Sequence, residues 1–107
     1  MKRYGSMIKI KQDNFEKYQD LHSAVWPEVL ATIKNCNIRN YSIYYKDGVM
    51  FSYFEYAGND FNTDMGRMAA DSKTQEWWSV VKPLMEPLET REAGEFWAKM
   101  EEVFHLD

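Results

Sequence analysis

His22 is the residue in this chain best suited to moving a proton near neutral pH, because imidazole is the side chain whose unperturbed pKa lies there. It stands four residues after Tyr18, so on a helix both side chains project from one face, a turn apart, and Trp26 continues the same spacing. A lone histidine on a helix is also a common structural residue, and spacing by itself leaves both roles open. The only other histidine, His105, lies two residues from the end beside Phe104 and Leu106, a position that favours a surface or edge role.

Trp77 and Trp78 form a second constellation. Successive helical residues are rotated by about 100°, so one indole can serve the core while the other faces a cavity. An aromatic plane beside a few fixed polar groups suits a small-molecule wall, and the apolar face of a sugar ring could lie on it. Filling of the core or an interface explains the pair equally well. Glu55, set inside an aromatic strand, either accepts a hydrogen bond across an interface or points to solvent. No His, Cys, Asp and Glu cluster has metal-ligand spacing, Cys36 has no evident base, and there is neither a phosphate-cradling glycine loop nor a serine elbow. Met65 and Met68 read as core.

These residues need a scaffold. Residues 4–10 end in an apolar and polar alternation that predicts a strand. Asp13 and Glu16 form the Asp variant of a capping box, which predicts a helix from Asn14. That helix extends to residue 35 with a break near Trp26, where Pro27 is tolerated only as the first residue of a new segment. Strands at 41–45 and 49–56 flank the turn Lys46-Asp47-Gly48 and make a hairpin. Helical pieces follow at 64–70 and 74–81, ended by Pro83 and Pro87. Residues 87–96 are charged and irregular, and 100–106 supply a last strand. The order β-α-β-β-α-β predicts an α+β, ferredoxin-like fold in a single domain over residues 1–107. Its helices cover one face of the sheet, yet both hairpin strands carry large side chains on both faces. That predicts pairing of two copies, unless the 87–96 loop folds over the bare face.

Composition agrees with a small globular enzyme or binding protein. The 107 residues are 45% hydrophobic and 28% charged, which argues against disorder. The 16% aromatic share is high enough that some of it is available to line a pocket or interface. One cysteine permits no internal disulfide, and no charged-then-apolar leader opens the chain, so the expected compartment is the cytoplasm. No apolar run is long enough for a membrane span. The net charge of −4, with scattered basic residues, disfavours nucleic acid.

Tyr18, Gln19, His22, Trp26-Pro27-Glu28, Asn40-Tyr41-Ser42-Ile43-Tyr44, Trp77-Trp78 and Glu102-Val103-Phe104 together resemble the L-rhamnose mutarotase family. The resemblance covers roughly residues 3–57, 73–86 and 101–107. It implies a homodimer of the dimeric α/β-barrel type, free of metal and cofactor, that interconverts the α and β anomers of a 6-deoxy-L-hexose. It assigns His22 as proton donor and Tyr18, Tyr41, Trp77 and Trp78 as contacts to the monosaccharide. Residues 58–72 and 86–97 depart from the family pattern, which keeps L-fucose or a related sugar as an alternative substrate and makes Arg91, Glu92 and Trp97 candidates for altered recognition. A cofactor-free monooxygenase or haem-degrading enzyme and a non-catalytic sugar-binding module are the rival readings for such a fold.

Overall fold

The computed structural model describes residues 1–107, and its elements run β1 (Lys2–Ile10), α1 (Gln12–His22), α2 (Pro27–Asn35), β2 (Ile38–Lys46), β3 (Val49–Tyr56), α3 (Phe61–Ala70), α4 (Ser72–Val81), a 3₁₀ turn (Lys82–Leu84), β4 (Met85–Glu86) and β5 (Ala98–Met100). The sheet is antiparallel with order β2-β3-β1-β4, and β5 also pairs with β1. The sequence-derived β-α-β-β-α-β order therefore holds, with each α realised as two helices and the last strand split in two.

Pleating decides what reaches the core. Ile8 and Ile10 of β1 and Met50 of β3 point to one face, where they meet Tyr18, Val29, Trp77 and Val81 from the helices. Register pairs Ile8 with Met50 and Ser6 with Ser52, so the inward set is aligned across the central strands. Ser6 and Ser52 satisfy one another through an Oγ–Oγ hydrogen bond of 2.6 Å, which removes the cost of burying two hydroxyls. The opposite face carries Phe51, Tyr44 and Met100, all exposed. Gly5 makes room there: a Cβ at this position would stand 3.2 Å from the Phe51 ring.

Helix ends follow local chemistry, with one difference from expectation. Asp60 and Asp71 cap α3 and α4 by accepting hydrogen bonds from the backbone N–H groups of Thr63 and Thr74. Asp13 does not cap α1. That helix starts at Gln12 after Lys11, without a side-chain cap, and Asp13 lies in its first turn, where a negative charge still suits the helix dipole. Pro27 opens α2 at its first position. At the far end of the core, Asp64 of α3 accepts hydrogen bonds from the Tyr56 hydroxyl, from Asn37 Nδ2 at 3.0 Å and from the Arg67 guanidinium at 2.6 Å. Gly58 is required beside this lock, since a Cβ would collide with Tyr56 Oη and stand 2.7 Å from Asp64 Oδ2.

The C-terminal expectation is corrected. The final strand is Ala98–Met100, and residues 101–107 have no regular structure. Their apolar members Val103, Phe104 and Leu106 are 79–90% exposed, because nothing within the chain lies against them. Arg3 of β1 holds the start of this tail through a two-pronged ion pair with Glu102. Residues 87–97 form neither strand nor helix. Their turns close on themselves, through Arg91 to the Leu88 carbonyl and Glu95 to the Glu92 N–H, while Phe96 and Trp97 pack against the core.

Candidate active site

His22 is the last residue of α1, and the helix stops there because Ser23 turns back on it. The Ser23 hydroxyl donates to the Asp20 carbonyl at 2.6 Å, and its N–H bonds the carbonyls of Gln19 and Asp20. The His22 ring is held by its own helix. Nδ1 lies 2.8 Å from the Tyr18 carbonyl oxygen. A carbonyl only accepts, so Nδ1 carries the hydrogen, and in the neutral ring Nε2 is left with a free lone pair. Burial pulls the His22 pKa below the ordinary imidazole value, and the Tyr18 carbonyl opposes that pull without overcoming it. The helix C-terminus would favour the charged form; desolvation wins. The resting ring is thus neutral near pH 7, with Nε2 ready to accept a proton.

Two aromatic rings fix its plane. Tyr18 stacks on the imidazole at 4.0 Å and 25°, as the spacing of four residues predicts, and Trp77 meets it edge-on at 5.2 Å and 68°. Trp26 in turn packs edge-on against Trp77 at 5.3 Å. Tyr18 and Trp77 are both buried. The Tyr18 hydroxyl is driven well above the ordinary phenol range, first by burial and then by the neighbouring Tyr41 hydroxyl. Tyr41 is raised in the same direction by desolvation of its hydroxyl, although the residue as a whole is 45% exposed. Both phenols therefore stay protonated and can donate hydrogen bonds.

The structure brings Tyr18, His22 and Trp77 into direct contact and sets Tyr41 within electrostatic reach of Tyr18. Trp78 is turned elsewhere. The Lys82 ammonium lies 4.3 Å from the Trp78 ring centroid and 5.0 Å from that of Phe96, a cation held between two aromatic faces. His105 sits in the exposed tail, paired with Asp107 at 2.7 Å. Glu55 accepts hydrogen bonds from Asn40 and Tyr53, an arrangement within one chain that holds its carboxyl below the usual range.

Beside His22 opens a cavity of about 640 Å³, lined by Phe15, Tyr18, Gln19, His22 and Ser23 from α1 and its end, and by Ile43, Tyr44, Tyr45 and Met50 from β2 and β3. No residue of 87–97 lines it, so Arg91, Glu92 and Trp97 stand away from this pocket. Phe15, Ile43, Tyr45 and Met50 were not singled out by sequence reasoning. Phe15 lies seven residues before His22, two helical turns along the same face, and that spacing was the available signal. Ile43 and Tyr45 are the inward members of the β2 alternation, but which helix they face is a tertiary fact. No group of three or more His, Cys, Asp or Glu side chains is placed to hold a metal ion, and no helix is long and apolar enough to cross a membrane.

A sequence model of L-rhamnose mutarotase matches residues 3–106. The L-rhamnose mutarotases of Oceanobacillus iheyensis and Bacillus subtilis are each 30% identical to this chain over the full length of both proteins. That of Ligilactobacillus salivarius is 31% identical over 98% of this chain and 97% of its own. Among solved structures, an L-rhamnose mutarotase from Formosa agariphila superposes over both entire chains with a TM-score of 0.79 at 19% identity. Tetracenomycin F2 cyclase from Streptomyces glaucescens follows at 0.74 and 12% identity, covering 100% of this chain and 98% of that one. Those two likenesses establish a shared ferredoxin-like fold, and the sequence match fixes the branch within it: the chain belongs to the L-rhamnose mutarotase family.

Proposed function

We propose that this chain is a single mutarotase-like domain over residues 1–107, an isomerase that interconverts the α and β anomers of L-rhamnose or a closely related 6-deoxy-L-hexose. The observation that carries the reading is the committed tautomer of His22, whose Nδ1 is tied to its own helix while Nε2 is free beside a cavity large enough for a monosaccharide. Nε2 takes the proton of the anomeric hydroxyl. The C1–O1 bond becomes a carbonyl, the bond from C1 to the ring oxygen breaks, and the ring oxygen receives a proton from the imidazolium. Both oxygens are bonded to the same carbon, so one nitrogen can serve each. Rotation about C1–C2 presents the other face of the aldehyde, and the reverse transfers close the ring. The His22 imidazolium thereby acts as the proton donor that the family resemblance assigns to it.

The remaining residues have separate tasks in this reading. Tyr18, kept protonated, donates a hydrogen bond to a sugar hydroxyl, and Tyr41, which lies outside the cavity lining, helps to keep the Tyr18 phenol protonated. Trp77 backs the His22 ring, and Trp78, turned towards Lys82 and Phe96 outside the cavity lining, takes no sugar contact in this reading. General acid-base help of this kind is worth about 10²- to 10⁴-fold, enough for a reaction that water already performs slowly. Magnetisation-transfer NMR of L-rhamnose and L-fucose with the pure protein tests the reading. Faster exchange between the anomeric signals is expected, and an unchanged exchange rate for both sugars refutes it.

The working unit in this proposal is a homodimer in the cytoplasm. Tyr44, Phe51 and Met100 on the bare sheet face, and Val103, Phe104 and Leu106 of the tail, make an apolar surface of the kind that a second copy covers. The one free thiol, Cys36, is buried, which suits a reducing compartment.

A further inference from the structure

We propose that residues 101–107 of one copy cross to a second copy and close that copy's cavity along the free edge of β2, so that each active site is completed by its partner's tail. The inference rests on the mutarotase reading and the homodimer above. Strand order leaves β2 at one end of the sheet, where its outer backbone N–H and C=O groups have no strand to pair with. The same strand supplies Ile43, Tyr44 and Tyr45 to the cavity, so the site lies along an unfinished sheet edge. At the other end β5 pairs with β1 through Met100 and Gly5, and the ion pair of Glu102 with Arg3, at 2.8 and 3.0 Å, carries that register two residues further. Beyond it Val103, Phe104 and Leu106 are 79–90% exposed, an arrangement that water disfavours for apolar side chains so close together.

The tail belongs to the partner for a topological reason. Within one copy β1 and β3 stand between β5 and β2, so the tail and the open edge lie on opposite sides of the sheet, roughly 14 Å apart at the usual strand spacing. A two-fold axis through the bare faces of Tyr44, Phe51 and Met100 brings each β2 beside the other copy's β5, and the same contact forms twice. Paired in this way, the two sheets close on one another and neither keeps an open edge. Packed sheets lie about 10 Å apart and seven extended residues span about 23 Å, so the tail is long enough to make the crossing. Its backbone pairs with β2 while Phe104 and Leu106 of the partner subunit bury against that strand, and bulk water loses its path to the sugar on this side. With water excluded, the hydrogen bonds of the sugar to Tyr18 and to His22 Nε2 strengthen. Glu102-Val103-Phe104, which takes no part in the cavity of a single copy, gains a task.

Mixed dimers test this. One subunit carries His22→Ala with a sound tail, and the other carries Phe104→Ser and Leu106→Ser with a sound histidine; the two are co-expressed under different affinity tags and the mixed dimer is captured through both. Each parent homodimer should lose most of its L-rhamnose anomer exchange in magnetisation-transfer NMR. The mixed dimer has one complete site of two and should recover about half the wild-type rate. A tail that covers its own cavity leaves the mixed dimer as slow as its parents, and that result overturns the proposal. So does wild-type exchange in a folded Phe104→Ser, Leu106→Ser protein, or the failure to capture any mixed dimer. If circular dichroism shows the double variant unfolded, Phe104→Ala takes its place in the same pairing. A wild-type protein that accelerates neither L-rhamnose nor L-fucose overturns the mutarotase reading, and with it the site that the tail completes.

Discussion

Replacing His22 separates the two jobs its ring performs. In His22→Ala the Tyr18 stack and the Trp77 edge contact are lost, each worth about 0.5–1.5 kcal/mol, together with one hydrogen bond worth about 0.5–1.5 kcal/mol net. The site opens onto a cavity, so water replaces part of what is lost, and a cost in the lower half of the sum, roughly 1.5–3 kcal/mol, is expected. A domain of this size holds about 5–15 kcal/mol, so the variant stays folded, with Tm lowered by about 6–20 °C. Its anomer-exchange rate should fall about 10²- to 10⁴-fold. His22→Asn refines the test, because its amide N–H can reach the Tyr18 carbonyl as Nδ1 does but offers nothing at the position of Nε2. Thermal unfolding followed by circular dichroism should show part of the stability restored, while NMR shows the rate still lost. A folded His22→Asn protein that retains the wild-type rate would refute the assignment of Nε2 as the proton carrier.

Because burial lowers the His22 pKa, the rate should hold on acidification past the ordinary imidazole value and decline only below it, as Nε2 becomes occupied; a pH–rate profile with a midpoint at or above 6.5 contradicts this. Asp64 is held below its usual range by the bonds from Tyr56 and Asn37 and then by Arg67, so the stability it contributes is present above the unfolded carboxylate pKa and lost as pH falls through its lower, folded value. Asp64→Asn should be less stable at pH 7 and show a shallower acid dependence of Tm, and an unchanged slope counts against it. Gly58→Ala should lower Tm by pushing Tyr56 and Asp64 apart, and a wild-type Tm would show that the segment simply moves aside. Phe51→Glu, placed on the bare sheet face, should convert a dimer into monomers in sedimentation velocity, whereas a wild-type protein already monomeric at high concentration removes the proposed pairing.

The ferredoxin-like order was legible because its elements announce themselves locally: the β1 alternation, Pro27 at a helix start, and the Asp-Gly turn at residues 47 and 48, both with positive φ. Boundaries depended on less local facts. Strand β2 begins at Ile38, three residues before its aromatic run, because Asn37 in a left-handed conformation ends the preceding turn and the register shift between Arg39 and Ser42 absorbs Asn40. The apolar tail misled for a different reason. Val103, Phe104 and Leu106 read as a buried strand, yet within one chain nothing is available to bury them. At the site, the pairing of Tyr18 with His22 followed from helical spacing, whereas the approach of Trp77 and the sheet wall is long-range packing that no local window contains. Resemblance to a family named Trp77, which spacing could not; neither named Tyr45 or Met50 as part of the site.

The edge-on contact between Trp77 and His22 also gives the molecule a built-in optical reporter. Protonated imidazole quenches indole emission by contact, and neutral imidazole does so weakly. Each protonation of His22 should therefore dim Trp77, and a sugar that keeps the ring neutral should delay the dimming to lower pH. The titration of this one side chain becomes visible in unlabelled protein.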